Sequence, residues 1–310
     1  MADAKRTPTS RRSAASSRKP RAASRFRFTS SSQEKSPMKS LLKPLLAVFL
    51  LALPAVAQAG TVTIKGSDTM VILGQRWAEA FMKKNPNIKV QVTGGGSGVG
   101  LAALQNGTTD IAMSSREMKK AEADKLRARY KAPPAQRSVA KDGVTFYVHQ
   151  GNPVSALTTE QLMKIYVGDI TSWKQVGGAD APIVAYSREN SSGTYVFVKD
   201  MVLDGEDFAP AIQTLPGTAA VVNAVSKEKN SLGYGGAAYA EGIKELKVKK
   251  GNEEIAPSAD NIKSGKYPLA RDLFFYLRAE PTGDIKAFID FALSPEGQAI
   301  VTQVGYFPVK

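Results

Sequence analysis

The sequence contains no cysteine and a single histidine, His149. Without cysteine there can be no disulfide, no thiolate metal site and no cysteine nucleophile, and one imidazole cannot build a paired-histidine zinc site. His149 closes a strand-like run with no nucleophile motif beside it, so it reads as a solvated polar position rather than a base. Positive charge is also scarce where it would matter. Of 42 Lys+Arg and 28 Asp+Glu, residues 1–59 hold 12 and 2, which leaves 30 and 26 over the other 251 residues, a net of only +4. A chain balanced in this way lacks the basic surface of a nucleic-acid binder. Long apolar runs are missing too. The stretch from Leu45 to Ala57 is 13 residues, short of the roughly 20 that cross a hydrocarbon core.

What is present is a leader followed by a chain able to fold. Residues 1–37 are rich in Ser, Thr and Arg, show no period, and read as a disordered basic extension upstream of a better initiator at Met38. Residues 38–59 carry Lys39 and Lys43, then the apolar run from Leu45 to Leu53, then Ala57-Gln58-Ala59. This is the order of a secretory signal peptide, with cleavage expected after Ala59 and export of the remainder. With 43% apolar residues, the remainder can bury a core of one or two domains.

From Gly60 the apolar period switches repeatedly. Residues 61–64 alternate as a strand, Ile72, Trp77 and Phe81 fall near helical spacing, and Asn85-Pro86 stops that helix. A strand at 88–92, a short helix at 99–105, a strand at 111–113 and a charged helix at 118–130 complete a βαβαβα pattern, which implies a parallel sheet. Further strands are expected at 143–148, 231–236 and 273–277, helices within 158–174, a strand-loop-helix unit over 183–203, and a helix at 283–293. No fixed-period repeat is present. The order fits two α/β domains, with the chain crossing between them near 143–148 and 271–277.

Three times a strand runs into a Gly/Ser/Thr loop and then a helix: Gly66-Ser67-Asp68-Thr69-Met70, Gly94-Gly95-Gly96-Ser97-Gly98 and Ser191-Ser192-Gly193-Thr194. The free N–H groups of a first helical turn and nearby hydroxyls favour an anion there. Any one such loop is equally an ordinary helix cap; three together, with Arg188 just ahead of the third, point to an anion site. A guanidinium can grip two oxygens of a tetrahedral oxyanion. None of the loops has the Lys-Ser or Lys-Thr of a P-loop, and Gly98-x-Gly100-x-x-Ala103 lacks the acidic residue of a dinucleotide fold. Gly-x-Ser-x-Gly is absent as well. Asp68 and Asp142 look out of place in an anion site, unless the ligand brings a proton for a carboxylate to accept. Phosphate has such a proton near neutral pH, and sulfate has none.

On these residues the chain resembles the periplasmic phosphate-binding proteins of phosphate ABC transporters, from Thr63 through Tyr267-Pro268-Leu269 and Ser294-Pro295-Glu296-Gly297 to Gly305-Tyr306. The most specific piece is Arg188-x-x-x-Ser192-Gly193-Thr194, which the resemblance makes the source of guanidinium, hydroxyls and an amide for phosphate. Thr69 and Met70 match the first binding loop, and Ser97 the second. Where some members end the third strand with an Asp that accepts the phosphate proton, this sequence has Ser114-Ser115-Arg116; Ser115 takes that place, and the acceptor is sought first at Asp142 and then at Asp68. Asn190 stands where some members have an Asp that neutralises the arginine, so Arg188 is expected to be less screened.

The resemblance implies a type II periplasmic binding protein, an α/β fold of two domains, residues 60–143 with 273–310 and residues 144–272, closing by a hinge on a buried anion. It implies a monomer with no cofactor or metal, no catalysis, and a membrane permease as partner. Two alternatives stay open: another oxyanion (sulfate, molybdate or tungstate), and a secreted phosphate-ester hydrolase, which would need a metal cluster or an activated nucleophile.

Overall fold

The computed structural model describes residues 60–309. The expected leader and the expected cleavage site after Ala59 lie outside the described residues.

The chain opens with three parallel strands, β1 (Gly60–Gly66), β2 (Ile88–Thr93) and β3 (Ile111–Ser114), with Val62 opposite Val90 and Ile64 opposite Ile111. Helices α1 (Val71–Lys84), α2 (Ser97–Asn106) and α3 (Lys120–Tyr130) connect and follow them, as the periodicity predicts. Helix α1 buries Leu73, Trp77 and Phe81, spaced four apart so that they share one face. Its last turn carries Lys83 and Lys84, which suit the negative end of the helix dipole.

Strand β4 (Ala135–Val148) is the structural pivot. Its first part pairs antiparallel with β11 (Ala270–Leu277), Arg271 opposite Asp142 and Leu277 opposite Ala135. Its last five residues pair instead with β8 (Ser231–Gly236), and the last three also with β9 (Lys244–Lys250). One strand thus serves two sheets, and the chain crosses between them at Gly143 and Val144. The strand expected at 143–148 is therefore only its second half. Residues 136–138 are polar and partly exposed, so they show no apolar alternation, and their strand conformation comes from the partner β11.

Between the crossings lie β5 (Ala156–Thr158), α4 (Thr159–Val167), β6 (Val184–Arg188), α5 (Gly193–Met201), β7 (Gln213–Leu215), α6 (Thr218–Lys227), β10 (Glu253–Ile255) and α7 (Ala259–Lys263). After β11 come α8 (Gly283–Leu293) and α9 (Pro295–Val304). The strand order is β2-β1-β3-β11-β4-β8-β6-β7, with β9 branching from β4 to carry β5 and β10. Trp173 begins a short 3₁₀ turn rather than ending a helix, because α4 already stops at the left-handed Gly168.

Two large apolar clusters fill the fold. The first joins Val62, Leu73, Trp77 and Phe81 to Phe275 and Phe288, with Trp77 edge-on to Phe275 at 5.6 Å. The second gathers Phe146, Tyr166, Trp173, Tyr234 and Leu246 from residues between the crossings. Burying each such side chain contributes about 1.5–3 kcal/mol, so both clusters are major sources of packing stability. The helix N-termini that follow β1, β2 and β6 face the seam between the lobes.

Candidate functional site

Each of the three loops uses a different device to start its helix. After β1, Ser67 leads into a 3₁₀ turn, Asp68–Met70, that feeds α1. After β2, Gly96 holds φ at +94° ahead of Ser97, a conformation that disfavours any side chain. A Cβ on Gly96 would also lie 2.6 Å from the Ser191 carbonyl oxygen, so the second and third loops meet only because this position is glycine. After β6, Ser192 caps α5 and accepts from the N–H groups of Thr194 and Tyr195 at 3.2 and 3.3 Å. The capping reading therefore holds for Ser192, and a hydroxyl that accepts through its lone pairs still has its own proton to donate.

The loops interlock across the seam. Gly98 N donates to Ser191 O at 2.9 Å, and the Ser191 hydroxyl donates to Gly95 O at 3.3 Å. Thr69 Oγ1 and Thr194 Oγ1 are 3.0 Å apart. Ser67 Oγ donates to Ser115 Oγ at 2.9 Å, and Ser115 N donates to Ser97 Oγ at 3.0 Å. Gly193 closes the gap: a Cβ there would stand 2.3 Å from Ser97 Oγ and 2.6 Å from Ser115 Oγ. Thr69, Met70, Ser97, Ser115, Asp142, Arg188, Ser192, Gly193 and Thr194, all singled out from sequence, are thus buried around one seam. His149 is not among them; it sits at the far end of β4 and accepts from Gly151 N at 3.0 Å.

Arg188 is 1% exposed. Its Nη2 donates to Asp68 Oδ2 at 2.7 Å and to Glu189 Oε1 at 3.1 Å, its Nε to Glu189 Oε2 at 3.1 Å, and its Nη1 to Thr218 Oγ1 at 2.8 Å. The expectation of a less screened Arg188 is corrected here. Asn190 is exposed and does not screen it, but two other carboxylates do, one from the first loop across the seam and one from the next residue. Burial alone would raise the Glu189 carboxyl, yet the hydrogen bonds and charge of Arg188 hold it below its usual range. Asp68 is locked further by Gly95 N, which donates to Oδ1 at 2.7 Å.

A second guanidinium, missed in the sequence, completes the cluster. Arg271 is 9% exposed and donates from Nε and Nη2 to Asp142 Oδ2 at 3.0 and 2.8 Å. Nη1 reaches Ser115 O at 3.0 Å and Nη2 reaches Thr194 Oγ1 at 3.0 Å. Burial raises the Asp142 carboxyl from its ordinary value, against the opposing pull of Arg271 and the N–H of Ala237. The available signal was an arginine inside a strand whose next six positions are mostly apolar, where only a buried counter-charge makes such a residue tolerable. Thr218 was also missed, since an isolated hydroxyl residue carries no pattern, and Ser67 lay within the first loop without being singled out. Among the described residues no group of three or more His, Cys, Asp or Glu could hold a metal ion. None of the helices described is long and apolar enough to cross a membrane.

Two α/β lobes on shared crossing strands, with helix N-termini, hydroxyls and guanidiniums turned to the seam, define a binding protein of the type II periplasmic class. The chain belongs to the PBP superfamily, whose domain model matches residues 54–296. It is similar to the phosphate-binding protein PstS of Pseudomonas aeruginosa, 31% identical over 270 residues and covering 81% of this chain and 84% of that one. PstS of Bacillus subtilis is 32% identical over 252 residues, covering 81% of each chain. A Clostridium perfringens substrate-binding protein, solved with bound phosphate, superimposes with a TM-score of 0.75 at 31% identity, over 81% of this chain and all of that one.

Proposed function

We propose that this protein binds inorganic phosphate between its lobes and delivers it to the membrane permease of an ABC importer. The observation that carries the reading is the meeting of three helix-starting loops and two buried arginines at one seam, in a chain about 31% identical to a protein with phosphate bound. Thr69, Ser97, Ser115, Ser192 and Thr194 offer hydroxyls, Met70 and Gly193 offer backbone N–H groups, and Arg188 offers the one Nη1 hydrogen its neighbours leave uncommitted. Asp142 is the proposed acceptor of the phosphate proton, through Oδ1, which takes Ala237 N at 3.2 Å; Asp68 is the second choice. The hinge joins residues 60–143 and 273–310 to residues 144–272, through β4 and β11. The protein acts as a monomer in the periplasm after removal of residues 38–59, with Gly60 as its first residue, and it binds without catalysing.

Calorimetric titration with phosphate, sulfate, molybdate and tungstate tests the reading. Phosphate is expected to bind and the other three to fail as competitors. Tight sulfate or molybdate binding would reassign the ligand, and turnover of a chromogenic phosphate ester would reassign the class. Discrimination against sulfate is expected to fall in Asp142→Asn and persist in Asp68→Asn; the reverse result moves the acceptor to Asp68. Mass analysis of the exported protein should find Gly60 at its N-terminus.

A further inference from the structure

Arg271 belongs to no loop motif, yet it touches both sides of the seam. It reaches Ser115 at the end of β3, Asp142 on β4, and Thr194 in the first turn of α5. The Phe197 ring, one turn further along α5, lies 5.3 Å from its Cζ. We propose that Arg271 is a positioning residue of the anion site: it sets the Thr194 hydroxyl as a donor toward the anion, and Asp142 in turn holds Arg271. The proposal rests on the phosphate reading and adds to it a residue outside the three loops.

Thr194 is fully buried, and its oxygen has one proton and two lone pairs. The bond between Thr69 and Thr194 could run in either direction. The bond from Arg271 cannot, because a guanidinium only donates and does not lose its proton in a protein. Arg271 Nη2 therefore occupies a Thr194 lone pair and leaves the O–H to point away from it, toward Thr69 or an anion at the seam. Nη2 has its second hydrogen on Asp142 Oδ2 at 2.8 Å, and Nε donates to the same oxygen at 3.0 Å. Arg271 and Asp142 are direct cross-strand partners, so backbone register fixes this side-chain pair. A lysine at 271 would keep the charge without the planar fork that serves three partners at once.

The test is a double-mutant cycle read by calorimetric phosphate titration on the purified protein, with Arg271→Lys, Thr194→Val and the double variant. Arg271→Lys is expected to weaken binding about tenfold or more when Thr194 is present, the loss of one hydrogen bond to a charged group. In the Thr194→Val background the same change is expected to cost less than about twofold, since no hydroxyl remains to be oriented. In Thr194→Ser, which keeps the hydroxyl, the tenfold loss should return. Equal losses in the Val and wild-type backgrounds, or no loss in either, overturn the proposal. Thermal unfolding checks that each variant folds. If Arg271→Lys does not, Arg271→Gln, which leaves Asp142 in place, replaces it in the same cycle, with the same outcomes deciding. Failure of the wild-type protein to bind phosphate would overturn the phosphate reading itself, a result distinct from wild-type binding with an additive cycle.

Discussion

Arg188 and Arg271 are both buried guanidiniums at the same seam, but their counter-charges differ. Arg188 faces two carboxylates, Asp68 and Glu189, whereas Arg271 faces one, Asp142. Two positive groups are set against three negative ones, so the inner cluster is not a pool of positive charge. On the proposed reading, an anion entering it would be held by oriented dipoles, the hydroxyls and the first-turn N–H groups of three helices, rather than by net charge. On the same reading, such a cluster would favour an anion that brings a proton, because a carboxylate could then accept instead of repel. The second difference is placement. The Arg188 cluster is assembled across the seam with the first loop, while the Arg271 pair is fixed by the register of two adjacent strands.

The most drastic way to break the comparison is Arg188→Ala. It leaves Asp68 and Glu189 facing each other without their cation, and removing one partner of a buried pair costs about 3–5 kcal/mol. Urea unfolding should register that loss, so a binding defect in this variant must be read beside Arg188→Lys, which keeps the charge. Arg188→Ala with unchanged stability would mean that the two carboxylates are solvated.

On the Arg271 side the weak point is Glu245, whose Oε1 is buried without a hydrogen-bond partner. Burial, and then the charge of Asp142, push its carboxyl from 4.5 to about 7. A carboxyl whose folded value is raised favours the protonated form in the native state. Its contribution is complete below pH 4.5, falls as pH rises through about 7, and then levels off, a change of at most about 3 kcal/mol. Wild type should lose stability to urea between about pH 5 and pH 8, and Glu245→Gln should flatten that slope. A parallel slope in the variant would clear Glu245.

Gly193→Ala sharpens the contrast between loops and strands. Its Cβ would press on Ser97 Oγ and Ser115 Oγ, and overpacking of this kind costs about 1–3 kcal/mol. Because the clash lies across the seam, it should appear as a phosphate Kd raised about tenfold to a hundredfold, with little change in unfolding by urea. A loss of stability with unchanged Kd would place the strain within one lobe. The smallest effect expected is that of salt. If buried dipoles hold the anion, raising ionic strength from about 50 to 500 mM should move the phosphate Kd by less than about threefold, since screening acts weakly on buried groups. A steep dependence would return the binding energy to net charge.

Much of the local structure was legible in the chain. Trp77 and Phe81 on one helical face, Asn85-Pro86 as a stop, and Ser192 before Gly193 each obey rules that operate within a few residues. The Arg188 to Thr194 segment was legible for the same reason, since a strand, a cap and a helix start are neighbours in sequence. Strand β4 was half hidden, because polar residues 136–138 become a strand only against β11, more than 130 positions away.

By itself, then, the sequence determined the α/β order, the three anion-favouring loops and the absence of thiol and paired-histidine chemistry, all of them properties of composition and short spacing. Only the tertiary structure decided that Arg188 is screened by Asp68 and Glu189, that Arg271 and Asp142 face each other, and that Gly193 must have no side chain. Those facts depend on distances between segments up to 129 residues apart, set by strand register and by how closely the lobes meet, and no local pattern encodes them.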